Sequence, residues 1–181
     1  MESYLELILR EVGDAVHKIK REEIQGLAES LMHADRIFVD GAGRSRLAAE
    51  GFAMRLTQMG LAGMIVGSPM TTAIRQGDLY LGCSGSAATP ALVEHIKRAR
   101  ACGASTALIT ANCSGEMMRY ADKSVEIPVS AKFSSERTSR QPMGSLFEQS
   151  LEILLDSLVL QVMEEKRITN QYMIQMQSNL V

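Results

Sequence analysis

The stretch Gly77-Asp78-Leu79-Tyr80-Leu81-Gly82-Cys83-Ser84-Gly85-Ser86-Ala87-Ala88-Thr89-Pro90-Ala91-Leu92-Val93-Glu94-His95-Ile96 contains a strand, a loop and a helix in miniature. A short apolar run, Leu79 to Leu81, hands over to three hydroxyl side chains and a glycine, and then to apolar residues at helical spacing, Leu92, Val93 and Ile96. Thr89 is a plausible N-cap with Pro90 at the first helical position, and Gly103 closes a helix expected over 90–101.

The same alternation runs outward in both directions. Ile37-Phe38-Val39 followed by Gly41-Ala42-Gly43 suits a buried strand ending in a tight loop, and a helix is expected from about Ser45 to Met59, stopped by Gly60. A strand at Met64–Val66 and a short helix after Ser68-Pro69 fill the interval before Leu79. Beyond the 90–101 helix come a strand at Ala107–Ile109, a short helix near Glu116–Tyr120 and a strand at Ser124–Ile127. Strands spaced by helices predict an α/β fold, a three-layer αβα sandwich of the flavodoxin-like kind with a five-stranded parallel sheet. In such sheets ligands bind beyond the carboxyl ends of the strands, where GAGRS (41–45) and CSGSAAT (83–89) both fall.

Extra helices flank this frame. Leu5, Ile8, Leu9, Val12, Val16 and Ile19, then Ile24, Leu27, Ala28 and Leu31, predict two amphipathic helices or one that bends near Lys20. A long helix is expected from about Ser145 to Lys166, and the tail places Tyr172, Met173, Met176 and Leu180 on one stripe. Residues 130–142, with almost no apolar content, read as a mobile loop. The apolar surface of the terminal segments exceeds what the sandwich can bury, which points to a homo-oligomer.

Composition narrows the function. A chain of 181 residues with a 46% hydrophobic fraction is expected to form one domain over 1–181. Nineteen basic and 21 acidic residues, mixed along the chain to a net charge of −2, leave no electrostatic footprint for nucleic acid or an anionic membrane. There is no apolar run of about 18 residues and no basic leader, so a soluble cytoplasmic protein is expected. Cys83, Cys102 and Cys113 form neither a metal-ligand pattern nor a disulfide framework and are read as reduced and buried.

The loop at 84–89 has two readings. A helix N-terminus with several hydroxyls and a glycine suits a dianionic phosphate, whereas Ser86 and Thr89 acting only as caps is the plainer account. GAGRS on the same sheet edge, with Ser45 at a second helix start, favours the phosphate. A dinucleotide cofactor is disfavoured, because Arg46 replaces the third glycine of G-x-G-x-x-G and no acidic residue ends the strand at 64–66. No G-x-x-x-x-G-K-[ST] occurs either. What remains is a small phosphorylated metabolite held between two serine-bearing loops.

Proton transfer near that site has one good candidate, Glu148, in QPMGSLFEQ (141–149). Ser145-x-x-Glu148 is also a capping-box pattern, and spacing alone puts capping first. His17, His33 and His95 fall on helices away from the sheet edge, and Lys132, Arg137 and Arg140 read as solvated loop charges unless one closes over a phosphate.

GAGRS at 41–45, FAMRL at 52–56, SGS…T at 84–89 and QPMGSLFEQ at 141–149 resemble, in order and interval, the sugar-isomerase (SIS) domain family, and within it the 6-phospho-3-hexuloisomerases. The resemblance implies a tetramer interconverting D-arabino-3-hexulose 6-phosphate and fructose 6-phosphate without metal or redox cofactor. It implies that Ser45, Ser84, Ser86 and Thr89 hold the phosphate and that Glu148 is the base. Gly43, Arg44, Arg46, Gly85 and Gln141 complete the implied substrate contacts. Three features depart from the family pattern: Ala87 and Ala88 stand where SGSGET has Gly and Glu, Arg46 stands where glycine is common, and the tail lacks the usual histidine. Isomerisation of another phosphosugar, and a non-catalytic phosphosugar-binding module, are the alternatives.

Overall fold

The structure, a computed structural model, describes residues 2–130 and 139–180. Five strands, β1 (Ile37–Gly41), β2 (Gly63–Ile65), β3 (Leu79–Cys83), β4 (Ser105–Thr110) and β5 (Lys123–Glu126), form one parallel sheet in the order β2-β1-β3-β4-β5. Side chains alternate between its faces as the pleat requires. Ile37, Val39, Leu79, Leu81, Ala107, Ile109 and Val125 enter one core, while Tyr80 and Leu108 enter the other.

The helices divide unequally between those faces. The larger core is closed by α1 (Tyr4–Val16), α2 (Arg21–His33), α3 (Arg44–Gln58) and α5 (Ser145–Lys166), through residues such as Val12, Leu31, Leu56 and Leu158. The smaller one lies under α4 (Pro90–Ala101) and a 3₁₀ turn at Glu116–Arg119. Leu56 and Leu158 have no exposed surface, and truncating either to alanine should cost about 2–5 kcal/mol through lost transfer energy and a residual cavity. The short α6 (Asn170–Gln175) tucks Met173 into the larger core.

The expected three-layer sandwich is therefore present, and α4 and α5 have the predicted bounds. The N-terminal segment is two helices, the first held by a capping box in which Ser3 and Glu6 bond reciprocally. One predicted helix does not form: residues 66–78 are turns and irregular chain. Here Arg36 takes over the role of local helix bonds. Its guanidinium grips buried Asp78 at 2.5 and 2.9 Å and also donates to the Thr72 hydroxyl and the Ala73 carbonyl, stapling the crossover to the start of β1. Of the 130–142 loop expectation, residues 131–138, including Lys132 and Arg137, lie outside the described residues. In the tail only Met173 is buried; Tyr172, Met176 and Leu180 are exposed.

Candidate active site

β1 and β3 are neighbours in the sheet, yet the chain leaves β1 toward β2 on one side and β3 toward β4 on the other. Their carboxyl ends therefore open into the crevice expected at a topological switch point. A cleft of about 500 Å³ lies there, walled by residues 42–45, by 83–86 with Thr89, and by 142–145 with Phe147 and Glu148. The walls carry the first residues of α3 and α5 and the N-cap of α4, so three helix N-termini border one cavity. Each contributes partial positive charge, which favours an anion without requiring a lysine.

The first wall depends on Gly43. It is the N-cap of α3 with φ +59°, a left-handed conformation that costs glycine little. That turn sets Ser45 almost fully buried at the cleft margin and Arg44 beside it. In the second wall, Thr89 is the N-cap of α4 and Pro90 its first residue, as expected, but the Thr89 side chain makes no cap bond. Its hydroxyl instead lies 3.5 Å from that of Ser84. Ser86 accepts the amide of Ala88 at 3.3 Å. Ala87, where the family pattern has glycine, adopts a left-handed φ of 49°, and its buried methyl belongs to the smaller core.

The third wall corrects the capping-box expectation. The N-cap of α5 is Gly144, so Ser145 is already inside the helix, where its hydroxyl donates to the Pro142 carbonyl at 2.8 Å. The Glu148 carboxylate is not tied back to the Ser145 amide; it meets the Arg44 guanidinium at 3.1 Å. The same Arg44 nitrogen donates to the Ser145 hydroxyl at 3.2 Å, linking α3 to α5 across the cleft. Glu148 sits in the first turn of α5, where the helix dipole favours a carboxylate.

Of the residues singled out in the sequence, Gly43, Arg44, Ser45, Ser84, Gly85, Ser86, Thr89 and Glu148 converge on this cleft. Two do not. Arg46 turns away, bonding Glu50 at 2.9 Å and the Val66 carbonyl at 3.0 Å, because the helical turn that puts Ser45 inward carries the next side chain toward the β2 edge. Gln141 is buried outside the cleft lining, its amide donating to Glu11 at 3.1 Å.

Cys83 lines the cleft floor as a fully buried thiol whose pKa is pushed up to about 12 by burial and then by the Asp40 charge, so it is not a ready nucleophile. Cys102 and Cys113 are exposed, contrary to expectation, and all three are free thiols. Asp40, buried at the end of β1, accepts from the Gly41 amide and the Tyr80 hydroxyl and faces the His95 ring nitrogen at 2.8 Å. No local sequence pattern announces this cluster, because Tyr80 and His95 lie 40 and 55 residues from Asp40. Among the described residues no group of three or more His, Cys, Asp or Glu is placed to hold a metal ion.

A frame of this kind, with a cleft at the switch point bordered by helix N-termini, defines a class of α/β proteins that take anionic ligands beyond the carboxyl ends of their strands. The SIS domain family model matches residues 30–152, and the chain belongs to that family. It is 36% identical to the 3-hexulose-6-phosphate isomerase of Bacillus subtilis, over 98% of this chain and 97% of that one. It is 38% identical to the protein of the same name from Mycobacterium gastri, over 85% and 78% of the two chains. A solved structure from Methanococcus jannaschii, for which a 3-hexulose-6-phosphate isomerase function has been inferred, superposes with a TM-score of 0.85 at 25% identity over 98% of both chains.

Proposed function

We propose that the protein is a phosphosugar isomerase that interconverts D-arabino-3-hexulose 6-phosphate and fructose 6-phosphate through an enediol, with Glu148 as the base. One observation carries this reading: Glu148 is released from capping duty and stands in the cleft wall, across from the serine-bearing loops. The phosphate lies against Ser45, Ser84, Ser86 and Thr89 at the N-termini of α3 and α4. Glu148 takes the proton from C2 as the C3 carbonyl becomes the enediolate, and a proton passes from O2 to O3. The Glu148 carboxyl, after exchange with solvent, delivers a proton at C3, so the carbonyl moves from C3 to C2. Arg44, at 3.1 Å from Glu148, orients the carboxylate and supplies positive charge as the enediolate develops. The names of the Bacillus and Mycobacterium relatives point to this substrate.

The assembly belongs to the same reading. Leu5 and Leu9 of α1, Leu47 of α3 and Leu160 of α5 are each 66–75% exposed, apolar surface that a homotetramer would cover. Among the described residues no helix is long and apolar enough to cross a membrane.

The test is turnover of 3-hexulose 6-phosphate by the purified protein beside Glu148→Gln, with the reaction repeated in deuterium oxide. The expected result is a loss of about 10²–10⁴ in kcat for the variant, at unchanged fold, and solvent deuterium at C3 of the fructose 6-phosphate formed by wild type. Wild-type rates in Glu148→Gln would overturn the base assignment. No turnover by wild type, with phosphosugars still raising its Tm, would mark a binding module instead.

A further inference from the structure

Glu11 lies on α1, outside the cleft, and is only 9% exposed. Its carboxylate accepts three hydrogen bonds from one short segment: the Ser139 hydroxyl at 2.6 Å, the Arg140 amide at 3.0 Å and the Gln141 side-chain amide at 3.1 Å. Burying a carboxylate is costly unless its oxygens are satisfied in this way. Immediately after the anchored segment the chain turns through Met143, whose φ of 58° is left-handed and costs a non-glycine residue about 1–2 kcal/mol. Gly144 then caps α5, and Glu148 follows in its first turn. A strained residue persists when the chain is fixed on both sides of it. Here the fixed points are Glu11 before the turn and α5 after it.

We propose that Glu11 is a positioning residue for the reaction: by holding 139–141 it sets the turn that starts α5, and so the place of the Glu148 carboxylate in the cleft. The phosphate-binding loops depend on β1 and β3 and not on this tie, so the effect falls on the chemical step and not on the grip. The assignment of a rate effect rests on the isomerase reading; the structural tie does not.

The test uses the protein as a whole chain and compares Glu11→Ala, Glu11→Gln and, as a control at an exposed position on the same helix, Asp14→Ala. In Glu11→Ala, kcat is expected to fall about 10- to 100-fold, because displacements near 1 Å are enough for that, while KM for the sugar phosphate barely moves. Glu11→Gln restores most of the rate, since its carbonyl accepts the Arg140 amide while its NH₂ donates to Ser139 or to a turned Gln141. Hydrogen exchange at the amides of 140–148 quickens in Glu11→Ala and stays slow in the other two. An unchanged kcat, a rise in KM alone, or a rate loss that merely tracks unfolding by circular dichroism would overturn the proposal. If wild type itself does not turn the substrate over, only the isomerase reading fails. Exchange then decides alone, and unchanged protection across 140–148 in Glu11→Ala would overturn the tie.

Discussion

The Arg44 guanidinium bridges α3 and α5, 3.1 Å from the Glu148 carboxylate and 3.2 Å from the Ser145 hydroxyl. The Arg44 side chain is 58% exposed and that of Glu148 19%, so the pair contributes at most about 1 kcal/mol to stability. On the proposed isomerase reading its weight falls on catalysis. Arg44→Gln is expected to lower kcat about 10²-fold through loss of charge stabilisation, with Tm nearly unchanged. Steady-state kinetics beside a thermal melt checks this, and a large Tm drop without a kcat effect would contradict it.

The second wall makes a steric prediction. A Cβ added at Gly115 would lie 2.4 Å from the Ala87 Cβ and 2.6 Å from the Ser86 carbonyl oxygen, so the substitution forces a shift where the 84–89 loop meets Gly115. Gly115→Ala should raise KM for the sugar phosphate by about tenfold, the loss of roughly one good hydrogen bond, and cost stability as well. Ser86→Ala, which introduces no clash, should raise KM without that cost. Thermal shift with and without phosphosugar separates the two effects.

Thiol chemistry should sort the cysteines by burial. Cys102 is exposed; Cys113 is exposed too, but its pKa is raised by partial burial and then by the Glu126 charge. Cys83 is fully buried and raised to about 12. Alkylation at mildly alkaline pH is expected to label Cys102 first, Cys113 more slowly and Cys83 only after denaturation. Intact-mass and peptide mapping would show it, and native labelling of Cys83 would mean that the cleft floor opens.

Acid should weaken the anchor on α1. Burial pushes the Glu11 carboxyl up, but bonds from the Arg140 amide, the Ser139 hydroxyl and the Gln141 amide outweigh it, helped by the nearby Arg10 charge, and the net shift is below the ordinary 4.5. A pKa lower in the folded than in the unfolded state gives stability that is present above the unfolded value and lost as pH falls through the folded one. The Tm difference between wild type and Glu11→Gln should therefore be constant near neutrality and shrink below about pH 4.5. A difference that grows on acidification would reverse the sign and refute the assignment.

Local periodicity reaches the frame and two walls of the site. The short apolar run Leu79–Leu81, and the helical spacing of Leu92, Val93 and Ile96, are written in near-contiguous residues, so the five strands, most helices and both serine loops are legible. The third wall is not. Ser145-x-x-Glu148 has capping-box spacing, but spacing does not reveal that Gly144 takes the cap and leaves Glu148 facing Arg44. Arg46 adjoins Ser45 in sequence yet points to Val66, because successive residues of a helix point about 100° apart. The tie from Glu11 to Gln141 joins residues 130 apart, and no local pattern announces such a pair. The helix expected after Ser68 fails for the same reason, since Arg36 satisfies that segment from a distance.

The switch point between β1 and β3 has a consequence for how such a protein can change. The anion grip hangs on two adjacent central strands, so it lasts as long as the sheet does and tolerates little rewriting. The carboxylate arrives from α5, which is not part of the sheet and is steered by a loop and by the first helix of the chain. On the proposed reading, affinity for a phosphate handle is thus inherited with the architecture. On that reading the proton-abstracting carboxylate comes from a different layer, a helix packed on the sheet, so grip and chemistry sit on separate parts of one scaffold.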